Sequence, residues 1–202
     1  MSDYNYQYRE QDEYCYPGTK VLINKLELTN ASELHEAERE ITFLRLTQLQ
    51  QKPLRGQYGF SHLKAIHRYL FSDIYDWAGK IRRGSFLSKG DTIFCNGEYI
   101  EAEAKRIFLE LASEEKLSRL SRDAFIDRLS YYMGEVNALH PFREGNGRTA
   151  REFFRELSLS AGYELDLSGV EKNDLLYADV QAFVRNYEPL NNILSGILRK
   201  RK

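Results

Sequence analysis

Residues 140 to 154 read HPFREGNGRTAREFF and concentrate reactive side chains in a short span. His140, Glu144, Gly145, Asn146, Gly147, Arg148 and Arg151 fall within twelve positions. An imidazole, with an ordinary pKa of about 6.5, can accept a proton near neutrality. Glycines at the start of a helix let an anion approach unpaired backbone N–H groups. Arg148 and Arg151, three residues apart, share a face of that helix's first turn and can fork onto phosphate oxygens. Glu144 conflicts with a bound anion unless a cation intervenes, and a magnesium ion bridging carboxylate and phosphates resolves the conflict. The set suits metal-assisted transfer chemistry on a nucleotide. On spacing alone it fits equally well a structural helix-to-helix turn laced with surface ion pairs. It is neither a GxxxxGK[ST] loop, which occurs nowhere in the chain, nor a GxGxxG dinucleotide turn.

Helices must hold this loop, because helical periodicity dominates and only four prolines interrupt it. A first helix follows residue 30, capped by Asn30 or Ser32, with Leu34, Ala37, Ile41, Leu44 and Leu46 as its inward stripe. A second spans Ser61 to Phe71 with Leu63, Ile66, Leu70 and Phe71 on its apolar face. Further patterns cover residues 98–115, 121–140, 146–161, 172–186 and 189–200. Ser121 caps the 121–140 helix, in which Phe125, Leu129, Tyr132, Val136 and Leu139 share a face. The 80–95 segment breaks the pattern: β-branched and aromatic residues flank SKGD, which predicts one hairpin. Residues 1–20 form a tyrosine-rich arm, and 21–202 a single domain. The terminal RKRK reads as cations complementing the last helix's dipole.

Composition narrows the class. At 202 residues the chain can bury one sizeable core, and 42% apolar with 29% charged residues is ordinary for a globular protein. A net charge of -1 argues against direct nucleic-acid binding, which needs a basic excess. Two cysteines, Cys15 and Cys95, provide no disulfide framework. No apolar run reaches the ~20 residues of a membrane span, so no membrane role is expected. The polar start lacks a secretory signal, which makes a cytoplasmic location the default and leaves secretion by a signal-independent route open. His67 reads as a packing or hydrogen-bonding residue, His35 and His62 as surface residues, and Trp77 as a core anchor.

HPFREGNGRTAR resembles the Fic (filamentation induced by cAMP) family motif HxFx[DE]GNGRxxR at every fixed position. YPGTKVL near residue 16, IHRYLFSDIYDWAGKIR at 66–82 and SKGDTIF are similar to the usual upstream parts of bacterial Fic domains, so the likeness spans roughly residues 16 to 190. The resemblance implies an all-α fold, a Fic-type helical bundle with one small β-hairpin flap. It implies transfer of AMP from ATP, with Mg2+, to a Tyr, Thr or Ser hydroxyl of a target protein. Pyrophosphate is released, and self-modification on the arm's Tyr4, Tyr6, Tyr8, Tyr14 or Tyr16 is part of the expectation. By motif position, His140 is the base and Phe142 anchors the loop. Glu144 holds the metal. Gly145, Asn146 and Gly147 cradle phosphates, Arg148 takes the β-phosphate and Arg151 the γ-phosphate. Ser88, Lys89, Gly90, Asp91, Thr92, Ile93 and Phe94 form the target-docking flap. Two alternatives stay open: a catalytically idle Fic-fold nucleotide-binding or interaction protein, and transfer of another phosphate-containing group.

The family is often restrained by a helix of pattern [ST]xxxE[GN], whose glutamate pairs with the second motif arginine. SELHEA at 32–37 offers Ser32 and Glu36 but ends in alanine. The expectation is a Glu36–Arg151 pair, with Glu38 facing elsewhere. A separate antitoxin, or a homo-oligomer, is the other partner that the resemblance admits.

Overall fold

The computed structural model describes residues 6–7, 13–84, 87–89 and 92–201. Helix α4 (Arg122–Leu139) is the axis of the bundle. Ser121 caps it by accepting the Ala124 N–H, and its expected face, Phe125, Leu129, Tyr132, Val136 and Leu139, is buried throughout. Around it pack α3 (Ile100–Ser113), α5 (Asn146–Ser160), α6 (Lys172–Phe183) and α7 (Glu188–Ile197). On the other side of α5 lies α2 (Phe60–Phe71), which in turn carries α1 (Ala31–Gln51). All four apolar residues expected on the inner face of α2 are buried. The fold is thus all-α with little strand, as the sequence predicts.

Helix α1 differs from expectation in its orientation. Asn30 is its cap, accepting from the N–H groups of Ser32 and Glu33, so Ser32 lies inside the helix. Its buried residues are Leu34, Glu38, Thr42 and Leu49, while Leu44 is 58% exposed. The helix is rotated so that a carboxylate and a hydroxyl point inward. His62 is a second correction: it is buried and meets buried Glu156 at 2.6 Å, joining α2 to α5. Arg199 and Lys200 are a third. They form a short strand pairing antiparallel with Tyr163–Glu164, rather than serving only as helix-end cations.

The hairpin is present. Strand β2 (Ser88–Lys89) pairs antiparallel with β3 (Thr92–Ile93), with Ser88 opposite Ile93. Gly90 and Asp91, expected at its tip, lie outside the described residues. The arm adds an unexpected strand: β1 (Tyr6–Gln7) pairs with β2, giving the order β1-β2-β3. Further along the arm, Tyr14 accepts the Arg83 N–H at 2.8 Å and meets Trp77 edge-on, so its ring packs down. Tyr4 and Tyr8 lie outside the described residues.

Candidate active site

The loop between α4 and α5 brings the motif residues together. Helix α4 ends on His140, whose φ of 44° is left-handed and uncommon for a residue with a Cβ. A buried arginine supports that backbone. Arg82 is 2% exposed and donates from Nε to the His140 carbonyl at 2.8 Å. Its Nη2 reaches the Cys95 carbonyl, and its backbone N–H donates to the Pro141 carbonyl at 2.8 Å. One side chain therefore ties the base of the hairpin to the loop. The His140 imidazole sits under the hairpin, stacked on Phe94 with ring centroids 3.7 Å apart. Its Nδ1 faces the Asn137 carbonyl at 3.2 Å. That oxygen only accepts, so Nδ1 carries the hydrogen and the basic lone pair falls on Nε2.

Phe142 is 1% exposed and stacked on His67, with ring centroids 3.8 Å apart. His67 both packs and hydrogen-bonds, and so supports the loop. Gly79 donates its N–H to Nδ1 at 2.8 Å, so Nε2 carries the hydrogen and donates to the Glu144 carbonyl at 3.0 Å. Burial, the largest influence, holds this imidazole's pKa down to about 3, and it is neutral at working pH. Asn146 works on the loop itself: its side chain both accepts the Phe142 N–H and donates to the Phe142 carbonyl. What it offers an anion is therefore its backbone.

Helix α5 begins with Gly145 as its cap, at φ 80°. Phe71 leaves no room for more, since a Cβ there would lie 2.2 Å from its Cζ. Among the described residues no side-chain hydrogen bond caps α5, which leaves its leading N–H groups for a ligand at the positive end of the helix dipole. The Gly145 N–H is taken by Glu144 Oε1 at 2.8 Å. The two arginines diverge. Arg151 folds back over Gly147, where a Cβ would lie 3.2 Å from its Nη1. Its pKa is lowered chiefly by desolvation, with the Asp179 carboxylate on α6 opposing. Arg148 turns instead to α1, where Nη2 meets Glu38 Oε1 at 2.5 Å and Nη1 donates to Thr42 Oγ1 at 3.1 Å.

Among the described residues the expected Glu36–Arg151 pair is not formed. Ser32 and Glu36 are exposed on α1, whereas Glu38, expected to face elsewhere, meets the motif. Helical geometry accounts for it. Leu34, Glu38 and Thr42 are spaced by four and share a face, and two residues of offset carry Glu36 about 200° around the axis. The inward spacing was readable, but an acid on a buried face is recognised only once its partner is known.

Comparison with known proteins decides the family. The model for the Fic/DOC family matches residues 58–158. The probable protein adenylyltransferase y4lH of Sinorhizobium fredii is 42% identical over 184 residues, covering 89% of this chain and 92% of that protein. The chain belongs to the Fic/DOC family. It is also similar to the probable protein adenylyltransferase Fic of Escherichia coli, 37% identical over 93% of this chain and 92% of that one. Among solved structures, the BepC protein of Bartonella tribocorum with bound AMPPNP superposes with a TM-score of 0.88. It is 25% identical over 94% of this Fic chain and 97% of its own.

Proposed function

We propose that this Fic chain is a protein adenylyltransferase, moving AMP from ATP to a Tyr, Thr or Ser hydroxyl of a target protein. The observation that carries the reading is the joint placement of His140 beneath the hairpin and an uncapped, glycine-started α5 beside two arginines. The target oxygen attacks the α-phosphorus, its proton passes to His140 Nε2, and the bond to the bridging α–β oxygen breaks. Pyrophosphate leaves with that electron pair. The leading N–H groups of α5 and the guanidinium groups of Arg148 and Arg151 stabilise charge as it develops on the leaving phosphates.

Glu144 would hold a magnesium ion. Its partly exposed carboxylate is a hard oxygen donor, and among the described residues no group of three His, Cys, Asp or Glu surrounds it. A hard oxygen donor of this kind suits Mg2+, which is usually bound through one or two carboxylates. Bound there, it would supply charge neutralisation between the phosphates.

The target segment would add to the hairpin as a further strand. With β1 on the β2 side, β3 is the outer edge among the described strands. The Phe94 N–H bonds the Leu87 carbonyl at 3.0 Å. Antiparallel alternation then turns the N–H and C=O of Ile93 outward, one residue from the ring that covers His140. A self-modified arm tyrosine, a separate antitoxin and a cytoplasmic site of action belong to the same proposal. No helix among the described residues is long and apolar enough to cross a membrane.

Incubation with α-labelled ATP and magnesium tests the reading. Label should pass to protein with the parent chain and not with His140→Ala, while ATP still binds the variant. Nucleotide binding without any transfer by the parent would support the idle alternative instead.

A further inference from the structure

A carboxylate on an outer helix ordinarily points to water. Glu38 is 6% exposed, on the buried face of α1. Burial of a charge is tolerated when partners satisfy it, and here both oxygens are satisfied. Oε1 meets Arg148 Nη2 at 2.5 Å, and Oε2 accepts from the Tyr75 hydroxyl. Burial first, and the adjoining Glu38 charge second, hold the Tyr75 phenol well above its ordinary pKa, so it stays a donor. Arg148 is gripped in turn by the Thr42 hydroxyl at 3.1 Å and lies over the Phe71 ring at 4.8 Å. Three elements, α1, α2 and the segment after α2, fix one guanidinium on α5.

We infer that Glu38 is a positioning residue for Arg148: it holds the guanidinium in place for the β-phosphate and thereby sets affinity for nucleotides carrying more than one phosphate. The inference rests on the adenylyltransferase reading for the identity of the phosphate. Two features favour positioning over restraint. Glu38 grips Arg148 from the α1 side, and the arginine side chain keeps 28% of its surface exposed. The Tyr75 hydrogen bond also draws on the Glu38 carboxylate, and Glu144 Oε1 lies farther off, 3.6 Å from the same arginine nitrogen. A guanidinium already ordered loses less side-chain entropy when a phosphate arrives.

Calorimetric titration of the full chain with AMP, ADP and ATP in magnesium tests this. Glu38→Gln keeps the size and one acceptor oxygen. It should weaken ADP and ATP about tenfold or more, the loss of a charge-assisted bond, and leave AMP within about twofold. The KM for ATP should rise with kcat much less changed, while Glu40→Gln on the exposed face of α1 should match the parent. Thr42→Val, which keeps the buried pair and guards against a Glu38 variant that does not fold, should show a smaller loss of the same kind. Equal weakening of all three nucleotides, or none, would make Glu38 purely structural and overturn the inference. Tighter ATP binding or faster transfer would make it a brake and overturn it equally. A parent that binds ADP but transfers no AMP defeats the enzyme reading while the selective loss still stands. A parent that binds none of the three defeats both.

Discussion

The ring of Phe94, the residue following the second strand of the hairpin, is stacked on the imidazole of His140 with 21° between their planes. The surface that would receive a target and the group that would take its proton are in direct contact. Phe94 also meets Phe183 of α6 edge-on at 5.7 Å, so it is held from both sides.

Shortening that contact should affect chemistry more than nucleotide binding. Aromatic pairs of this kind contribute about 0.5–1.5 kcal/mol. Phe94→Leu should therefore slow AMP transfer by roughly two- to tenfold. ATP affinity, measured by titration, should stay within about twofold. A variant that loses ATP binding to the same degree would place Phe94 in the nucleotide site instead.

Glu144→Ala should remove the response of transfer to magnesium. In the parent, chelation by EDTA should abolish transfer and added magnesium should restore it. In the variant, transfer should be low at every magnesium concentration. Full parent activity in EDTA would contradict the role given to Glu144.

His67 makes stability depend on pH in a stated direction. Its pKa is about 3 folded, against an ordinary 6.5 in the unfolded chain. Between those values the unfolded state binds the extra proton, so stability is full above pH 6.5 and falls as the pH drops, by about 1.4 kcal/mol per unit. The loss levels off below pH 3. His67→Gln, which can still reach the Glu144 carbonyl, should show a flatter decline in denaturant melts between pH 6.5 and 4.5. Parallel slopes in parent and variant would show that His67 protonates freely in the fold.

Gly145→Ala should be damaging although it adds one methyl group. The left-handed backbone costs a residue with a Cβ about 1–2 kcal/mol, and the methyl would meet the Phe71 ring. A loss of at least about 2 kcal/mol in stability together with weakened ATP binding is expected. Unchanged melting and binding would mean that the loop relaxes without cost.

The sequence carries the loop almost completely, because glycines at a helix start and residues three apart are local facts. The inner faces of α2 and α4 are equally plain, since hydrophobic periodicity and burial agree there. Helix α1 departs from its hydrophobic pattern because that agreement fails there. Glu38 is buried by an arginine 110 residues away, and His62 by a glutamate 94 residues away. A single sequence gives no sign of which distant charge will arrive. The role of Arg82 is hidden for the same reason: its acceptors are backbone carbonyls, one of them 58 residues off, and a carbonyl leaves no trace in residue type.

Arg82 gives the molecule a reciprocal linkage. Its one guanidinium is shared by the Cys95 carbonyl below the hairpin and the His140 carbonyl at the end of α4. A segment that steadies the hairpin steadies the loop through this shared donor, and free-energy coupling has no preferred direction. On the proposed reading, a nucleotide that orders the loop would raise the hairpin's affinity for a target strand by the same factor, so that order of arrival would change the route and not the final occupancy.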